Sequence, residues 1–427
     1  METSLTWFET GTRPPSRVGT GLGGASVAGR NRLTGGNHRT EFCIGLFNDS
    51  FPPIPDGVAT TVYNYAKCLK LNNVRPIVVT PRVPHHDYPD EFEILPYLST
   101  PLPKRKAYRL GFPWLDSRVN AALSRIPLEI VHAHSPFSAG RLALKVGRER
   151  NIPVVATFHS KFYDDFLHAS NSKTAARLLL ARVIDFFNRC DFVWTVNRAT
   201  IDTLRSYGYR KSVEVAENGS DLVPAGNKTE LREFIDKRLG LDGSENVLLF
   251  VGQHIWHKNV RLIIESLALL KAGDFRFRML FVGNGEAEPD MKKLVNHLGL
   301  QDRVTFAGKV LDREYLKALY ARADLFLFPS MYDTSGIVVQ EAASQGTPSV
   351  MVRGSTAASV ILDGYNGFLA ENTAESLAST IKSAFCGHGT LARAGENARN
   401  TICRSWGSVL EEAKGRYEEI IKHWHGR

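Results

Sequence analysis

The segment Leu325–Val350, LFLFPSMYDTSGIVVQEAASQGTPSV, decides the fold class. Its first four residues are apolar and suffice for one buried strand, which the following Pro-Ser pair ends. Thr334–Gly336 then offers capping chemistry for a helix that we predict over Ile337–Gln345. Backbone amides at a helix start, close to a carboxylate and to the carboxyl end of a strand, form a site where open α/β sheets bind ligands. The segment therefore predicts an α/β fold with a polar site at this turn.

Two acidic residues bracket this unit. Asp333 lies at the strand-to-helix turn, and Glu341 lies about two turns along the predicted helix. With the Gly-Ile-Val and EA-x3-GTP sequences around them, they resemble the E-x7-E region of family 4 glycosyltransferases, which are retaining enzymes of the GT-B fold. Asp333 stands where that family usually has Glu, so its carboxylate has a shorter reach.

The resemblance implies a donor site in this segment. Asp333 would contact hydroxyls of the donor sugar as a catalytic group, and Glu341 would bind the ribose. The loop and helix start between them would contact sugar and phosphate through Thr334, Ser335, Gly336, Ile337 and Val338.

The size and charge of the chain limit the classes of protein to which it can belong. At 427 residues it exceeds the usual limit for one hydrophobic core, so we expect two domains. No apolar run approaches the roughly 20 residues that a membrane-spanning helix needs, and no secretory segment opens the chain. The net charge of +9 suits anionic partners such as nucleotide diphosphates or anionic lipid, although a basic surface without a specific partner is an equal alternative. No nucleic-acid-binding motif accompanies the charge, so we expect no nucleic-acid partner.

The five cysteines are scattered and lack C-x-x-C spacing. This pattern favours reduced thiols over a disulfide framework or a zinc site. We therefore expect a cytoplasmic protein, with a peripheral position at the inner face of the membrane as a further expectation.

Short apolar runs alternate with helical patterns from Glu41 onward. Residues 1–40 are rich in Gly, Ser, Thr and Arg and are predicted to be a disordered tail, or to result from a start codon placed too far upstream. The first series of predicted strands is Phe42–Phe47, Pro76–Thr80, Ile130–His134, Pro153–His159, Phe192–Asn197 and Val213–Glu217. After a predicted linker at Leu222–Asn246, the second series is Val247–Val251, Arg278–Val282, Val304–Phe306, Leu325–Phe328 and Ser349–Val352.

Strands separated by helices form βαβ units with a parallel sheet. We therefore predict two Rossmann-like domains facing across a cleft: residues 41–222 for the acceptor and residues 246–400 for the nucleotide-sugar donor. Residues 401–427 would form a C-terminal helix with the apolar stripe Leu410, Ala413, Tyr417, Ile420 and Ile421. The GT-B resemblance implies that this helix crosses back to the N-terminal domain, whereas packing on the second domain is the alternative.

The loop Asn48–Val58 follows the first predicted strand. A glycine at a helix start, here Gly57, lets a phosphate approach the backbone amides. The loop resembles the family's glycine loop, which implies donor contact for Gly57 and acceptor contact for Asp56. A plain strand-to-helix turn is the alternative, because no G-x-G-x-x-G is present.

Two histidines, His132 and His134, end the third predicted strand and point to the same face of it. Their H-x-H-S-P-F-S-x-G context matches the family, in which the second histidine lies near the donor sugar. The resemblance thus implies that His134 is a catalytic group that positions the substrate and donates a hydrogen bond. A structural histidine is the alternative.

The segment Thr157–Phe166 resembles the [FY]-H-[ST]-x-[FY] sequence of family members that glycosylate lipids. This resemblance implies that His159, Lys161 and Tyr163 line the acceptor side. The chain contains no D-x-D sequence, and GT-B enzymes generally stabilise the leaving diphosphate with basic side chains and helix dipoles. We therefore predict no metal and no cofactor.

The segment Val251–Asn259 resembles the family's G-R-x4-K-[GN] sequence, whose cations neutralise the donor diphosphate. Lys258 matches, and Gln253 replaces the Arg but retains a hydrogen-bond donor. His254 and His257 are candidates to compensate for the lost cation. Gly283 and Asn284, in a V-G-x-G turn, are predicted to line the nucleotide.

Cations and aromatic residues interleave in Lys104–Trp114. Such a segment could sit on an anionic membrane surface, with rings in the interface and cations on headgroups. A solvated loop with a few rings packed inward is the alternative.

The resemblance implies a retaining glycosyltransferase that moves a hexose from a nucleotide diphosphate sugar to an acceptor hydroxyl. A UDP-sugar donor such as UDP-glucose follows from family frequency alone, and a membrane lipid such as diacylglycerol is the first expected acceptor. A soluble acceptor and an inactive sugar-nucleotide-binding protein are the alternatives.

Overall fold

The structure is a computed structural model, and it describes residues 42–54, 56–102, 108–387 and 389–426. The predicted disordered tail, residues 1–40, lies outside the described residues. The described chain follows the predicted alternation of strands and helices, with the elements given below.

The N-terminal domain contains one parallel sheet and one short antiparallel hairpin. Its strands are β1 (Cys43–Phe47), β2 (Arg75–Pro81), β3 (Glu93–Tyr97), β4 (Ser99–Pro101), β5 (Arg109–Gly111), β6 (Ile130–Ala133), β7 (Val154–Phe158), β8 (Phe192–Thr195) and β9 (Glu214–Val215). Its helices are α1 (Gly57–Leu71), α2 (Ser117–Arg125), α3 (Ser138–Arg150), α4 (Phe162–Ser170), α5 (Lys173–Arg189) and α6 (Arg198–Ser206). The sheet order is β3-β2-β1-β6-β7-β8-β9, and β4 pairs with β5.

The C-terminal domain repeats this plan. Its strands are β10 (Asn246–Val251), β11 (Phe277–Val282), β12 (Val304–Gly308), β13 (Leu325–Phe328), β14 (Ser349–Val352) and β15 (Gly367–Ala370). The helices that follow α6 are α7 (Lys228–Leu239), α8 (Val260–Ala272), α9 (Glu288–His297), α10 (Arg313–Arg322), α11 (Ile337–Ser344), α12 (Ala374–Cys386), α13 (Thr390–Thr401) and α14 (Trp406–His425). The parallel sheet order is β12-β11-β10-β13-β14-β15.

Both sheets are parallel, and their central strands are buried along their whole length. Helices on both faces of a parallel sheet produce such strands, because neither face meets water. The two Rossmann-like domains of the predicted GT-B fold are thus confirmed, whereas the domain boundaries stay predictions.

The segment predicted as a linker, Leu222–Asn246, contains a helix instead. Asn227 caps the start of α7 by accepting a hydrogen bond from the Glu230 amide at 3.2 Å. Gly240, taken as a sign of a linker, ends the helix in the left-handed conformation with φ of 65°. The sequence of this helix lacks a strong apolar stripe, because Ile235 is the residue of α7 that is buried.

The edge strand β3 is absent from the sequence prediction. Its sequence EILPY contains a proline, and four of its five residues retain some exposure. Proline is tolerated at the edge of a sheet but argues against a strand when it is read in sequence alone.

The C-terminal helix α14 returns to the N-terminal domain, as predicted. The buried face of α14 shares a core with β1, α1 and β8, and consists of Trp406, Val409, Leu410, Ala413, Tyr417 and Ile420. The Tyr417 ring stacks on Trp194 with centroids 5.1 Å apart. Burial of each large apolar side chain contributes about 1.5–3 kcal/mol, so the helix is a structural part of the N-terminal domain.

We expect Leu410→Ala to lower the free energy of unfolding by about 2–5 kcal/mol, because it leaves a cavity in this shared core. Urea unfolding monitored by circular dichroism measures the change. The matched control is Glu411→Ala, at an exposed neighbouring position, which should change stability by less than about 0.5 kcal/mol. Equal effects of the two substitutions would contradict the packing of α14 described here.

Candidate active site

The loop between β13 and α11 carries Asp333 and begins the helix without a side-chain cap. Gly336 is the cap residue, with φ of 60°, and no side-chain cap bond is made at the start of α11 among the described residues. Of the predicted capping residues Thr334–Gly336, Gly336 therefore occupies the cap position, whereas Thr334 and Ser335 do not cap the helix. The Thr334 hydroxyl donates to the His159 carbonyl, and the Ser335 hydroxyl accepts from Asn218 Nδ2 at 3.0 Å. Both side chains thus hold the loop to the N-terminal domain.

Lys258 and Asp333, predicted separately, form an ion pair. Lys258 Nζ contacts Asp333 Oδ1, and both side chains are largely buried. The second carboxylate oxygen, Oδ2, is buried and has no hydrogen-bond partner among the described residues. Lys258 Nζ also lies 5.5 Å from the centre of the Phe328 ring. The pair places a cation, which can bind an anion, beside a carboxylate oxygen that can accept a further hydrogen bond.

Glu341 is buried on α11 and both of its carboxylate oxygens have protein partners. Oε1 accepts from Arg313 Nη2 at 2.7 Å, and Oε2 accepts from the Tyr320 hydroxyl at 2.8 Å. Arg313 also pairs with Asp221, and although burial opposes the charge, these two carboxylates raise the pKa of Arg313. Each carboxylate oxygen has a second lone pair, so Glu341 can still accept from a ribose hydroxyl.

The predicted nucleotide turns lie at the ends of β10 and β11. Gly283 adopts φ of 130°, and a Cβ on it would lie 1.9 Å from the Gly252 carbonyl oxygen. Only glycine allows this close approach of the two turns. Asn284 is exposed beside them, and Gln253 is half-buried.

His254 does not supply the cation that Gln253 lacks. Its ring is buried, and Nδ1 lies 2.9 Å from Glu288 Oε2. Burial lowers the pKa of His254 although Glu288 opposes the shift, so the ring is neutral at pH 7. His257 is exposed and packs edge-on against His168 of α4, with ring centroids 4.2 Å apart.

A buried cluster of histidines forms the N-terminal side of the site. His134 Nδ1 lies 3.0 Å from His159 Nε2, and the two rings stack. His132, two residues earlier and within β6, bonds the Tyr417 hydroxyl and, at 2.7 Å, the Thr157 hydroxyl. His132 thus has the structural role that was the alternative for this pair of histidines. His134 Nε2 is buried without a partner among the described residues.

Burial keeps these histidines neutral. It lowers the pKa of His132 and His134 well below the ordinary value, and that of His159 to about 3. A neutral His134 has one donor and one acceptor nitrogen. When His159 Nε2 donates to His134 Nδ1, the proton of His134 lies on Nε2, which has no protein partner.

The remaining predicted residues belong to the N-terminal domain. Lys161 Nζ donates to the Met331 carbonyl at 2.8 Å, and burial lowers the pKa of Lys161 against the effect of nearby carboxylates. Tyr163 lies half-buried in the first turn of α4. Asp56 caps α1 by accepting from the Ala59 amide at 2.7 Å, and burial raises its pKa. An added Cβ on Gly57 would meet nothing within 4 Å, so the helix start is open on this side.

The structure thus brings Lys258, Asp333 and the loop of Thr334 and Ser335 together against the histidine cluster. Glu341 and the turns at Gly283 lie within the C-terminal domain. Sequence analysis missed four partners, which are Arg313, Tyr320, Asn197 and Asn218. Asn197 carries a usable signal, because Asn directly before a helix indicates a cap.

Neither a metal-binding cluster nor a membrane-spanning helix is present among the described residues. No group of three or more His, Cys, Asp or Glu side chains there could hold a metal ion. None of the helices in the same part of the chain is long and apolar enough to cross a membrane.

Two facing Rossmann-like domains with polar strand ends at the cleft define the GT-B class of glycosyltransferases. Solved structures support the class. Sucrose-phosphate synthase from Thermosynechococcus elongatus matches with a TM-score of 0.73 at 18% identity, covering 90% of this chain and 100% of that chain. HepE from Anabaena, solved in complex with UDP-glucose, matches with a TM-score of 0.71 at 19% identity, covering 89% and 100%.

Sequence comparison identifies the family. The profile described as Glycosyltransferase Family 4 matches residues 55–223, and the profile of group 1 glycosyl transferases matches residues 232–401. The chain belongs to the family 4 glycosyltransferases, and it is a hexosyltransferase.

Similar proteins are named for different transfers. Alpha-monoglucosyldiacylglycerol synthase of Streptococcus pneumoniae is 27% identical over 72% of this chain and 70% of its own length. GDP-mannose-dependent alpha-mannosyltransferase of Corynebacterium glutamicum is also 27% identical, over 76% of each chain. Homology therefore leaves the nucleotide and the acceptor open.

The histidine cluster predicts an acid-sensitive fold. Because the folded pKa values lie below the ordinary 6.5, the unfolded chain binds more protons below pH 6.5 than the folded chain does. We expect the free energy of unfolding to be unaffected by these groups above pH 6.5. Below it, stability should fall by up to about 1.4 kcal/mol per pH unit for each histidine.

Denaturant unfolding between pH 7.5 and pH 5 measures this slope. His159→Asn should flatten the pH dependence, because it removes one group that titrates differently in the two states. His423→Gln, at an exposed position of α14, is the matched control and should leave the slope unchanged. A wild-type slope equal to that of His159→Asn would contradict the prediction.

Proposed function

We propose that the protein transfers a hexose, with retention of anomeric configuration, from a UDP-sugar to a hydroxyl group of a membrane lipid such as diacylglycerol. The observation that carries the donor part is the buried Lys258–Asp333 pair, in which Asp333 Oδ2 has no partner among the described residues. In this proposal Lys258 faces the diphosphate and Asp333 Oδ2 accepts from a sugar hydroxyl. Gly57 and Gln253 complete the phosphate side, and Glu341 binds the ribose.

The reaction in this proposal needs no protein nucleophile. The bond between the anomeric carbon and the diphosphate oxygen breaks, and the acceptor oxygen bonds to the anomeric carbon on the same face. The acceptor proton passes to the departing diphosphate oxygen, so the products are a glycoside and a nucleoside diphosphate. The protein contributes positioning and charge stabilisation, which are large terms in transfer reactions.

His134 serves in this proposal as a neutral donor to the sugar. Its Nε2 carries the proton when His159 donates to Nδ1, and burial prevents the charged form that would disturb this arrangement. His159 then acts through His134, in addition to its predicted place on the acceptor side with Lys161, Tyr163 and Asp56.

The choice of diacylglycerol rests on relatives, and the choice of UDP rests on family frequency and on the UDP-glucose complex of the structurally similar HepE. Alpha-monoglucosyldiacylglycerol synthases of Streptococcus pneumoniae and Acholeplasma laidlawii are similar over 72% and 76% of this chain. The Thr157–Phe166 segment adds support, because it resembles the lipid-glycosylating members. The GDP-mannose-dependent relative makes a GDP-mannose donor the second candidate. We propose that the enzyme works without a metal ion.

The purified enzyme should be assayed with UDP-glucose, UDP-galactose and GDP-mannose, each with diacylglycerol in vesicles and with a chelator present. We expect release of UDP with formation of an α-linked lipid, identified by NMR of the product. Asp333→Asn should lower kcat/KM by roughly 100-fold or more, because it removes the charge opposite Lys258. The control Asp290→Asn alters an exposed carboxylate on α9 and should have no effect. A β-linked product, or activity with GDP-mannose alone, would overturn the proposal.

We also propose that the enzyme is cytoplasmic and binds the anionic inner face of the membrane. Part of the predicted contact segment, residues 104–107, lies outside the described residues. The described part displays Leu110 and Trp114, which are 50% and 58% exposed, and the residue that follows the segment, Leu115, is 66% exposed. Arg109, predicted as a headgroup contact, instead bonds Ser99 with its Nε at 2.6 Å and its Nη2 at 3.0 Å. In this proposal the exposed apolar side chains, rather than Arg109, make the main contact with the membrane.

Leu110→Ser combined with Trp114→Ser should reduce sedimentation with phosphatidylglycerol vesicles several-fold, because each removes apolar surface that would enter the interface. Leu311→Ser combined with Leu362→Ser, on exposed positions of the C-terminal domain, is the matched control. Equal binding by both double variants would show that this surface does not contact the membrane.

A further inference from the structure

The loop that carries Asp333 is held by the opposite domain. We call residues 331–336 the donor loop. On one side of Asp333, Lys161 Nζ donates to the Met331 carbonyl at 2.8 Å, and the Tyr332 hydroxyl bonds Asp165. On the other side, Thr334 and Ser335 bond to His159, Asn197 and Asn218. The shape of this loop therefore depends on residues of the N-terminal domain.

Asn197 makes the contact with the clearest chemistry. It follows β8, is 7% exposed, and caps α6 through Oδ1, which accepts from the Thr200 amide at 2.8 Å and the Thr200 hydroxyl at 2.7 Å. These two bonds fix the orientation of the side-chain amide. Nδ2 then donates across the cleft to the Thr334 carbonyl at 2.6 Å. An Asp would cap the helix equally well, so the cap alone does not explain the amide.

Asn218 holds the next residue of the loop. It follows β9, is 6% exposed, and its Nδ2 donates to the Ser335 hydroxyl at 3.0 Å. Its backbone carbonyl accepts from Gln340 of α11 at 2.7 Å. The two asparagines thus form hydrogen bonds to the consecutive residues Thr334 and Ser335, which lie between Asp333 and the start of α11.

The backbone of the donor loop makes long hydrogen bonds within its own domain. The amides of Tyr332 and Asp333 each bond the Ser330 hydroxyl at 3.3 Å, which is long for a hydrogen bond of this kind. Gly336 starts α11 without a side-chain cap. Lys258 of the same domain pairs with the Asp333 carboxylate, and the contacts from the N-terminal domain fix the backbone on both sides of this residue.

We propose that Asn197 and Asn218 are positioning residues, which set the donor loop for transfer when the two domains meet. The proposal rests on the donor site proposed above. A nucleotide sugar can bind to the C-terminal domain before the loop reaches its reactive position. A displacement of about 1 Å at the reacting centre can cost 100-fold in rate, so loss of the Asn197 contact should lower kcat more than donor affinity.

Two substitutions that introduce the same charge distinguish a positioning role from a general loss of structure. In Asn197→Asp the cap on α6 is kept, but the carboxylate cannot donate to the Thr334 carbonyl. In Asn218→Asp the Ser335 hydroxyl can turn and donate to the new carboxylate, so the link is kept. If the two asparagines had only a structural role, or if the added charge alone mattered, kcat would change by a similar factor in both variants.

We expect Asn197→Asp to lower kcat 10-fold to 100-fold while the Kd for UDP, measured by calorimetry, changes less than threefold. Asn218→Asp should retain kcat within about threefold, and Asn218→Leu should lose it. Hydrogen–deuterium exchange of residues 331–338 should be faster in Asn197→Asp than in the wild type, in the absence of any ligand. If Asn197→Asp does not fold, Asn197→Ser keeps a cap and removes the same amide.

Unchanged kcat and unchanged exchange in Asn197→Asp would overturn the proposal. Equal losses in Asn197→Asp and Asn218→Asp would overturn it also. The exchange measurement does not use a substrate. A wild type without transfer activity but with faster loop exchange in Asn197→Asp would therefore refute the proposed function and retain the positioning of the loop.

Discussion

Parallel strand order is the constraint on which the rest of this molecule depends. Each βαβ unit returns the chain in the same direction, so all strands of a sheet end at one edge. In the N-terminal domain that edge collects His134 after β6, His159 after β7, Asn197 after β8 and Asn218 after β9. These residues are distant in sequence. In the structure, however, His134 bonds His159, and His159, Asn197 and Asn218 each bond the donor loop directly. The site is a consequence of strand order rather than of local sequence.

The same constraint explains what could be predicted from the sequence. Strand positions followed from apolar runs, and the turns followed from the polar residues that end the strands, while the family resemblance singled out Lys258, Asp333 and His134 within those turns. The pairing of Lys258 with Asp333 could not, because it joins turns after two different strands. Family resemblance supplied their expected roles.

Other features escaped prediction for physical reasons that differ. The α7 helix has one fully buried residue, Ile235, and so lacks a strong apolar stripe. Arg313 and Tyr320 lie on α10, where nothing in the local pattern reveals that Glu341 of α11 will contact them. Thr334 and Ser335 have the composition of a helix cap, but the opposite domain offers them better partners than their own helix does. Long-range hydrogen bonds thus overrode the local preference.

The position of α14 has a consequence for synthesis of the chain. Trp406, Leu410 and Tyr417 belong to the same core as β1 and β8, and Tyr417 bonds the His132 ring beside the site. On the ribosome the N-terminal domain emerges first but lacks these side chains until the whole C-terminal domain has been made. The C-terminal domain has its own core, and among the described residues none of α14 belongs to it. The N-terminal core therefore needs a segment that is made after the C-terminal domain, whereas the C-terminal core is built without α14.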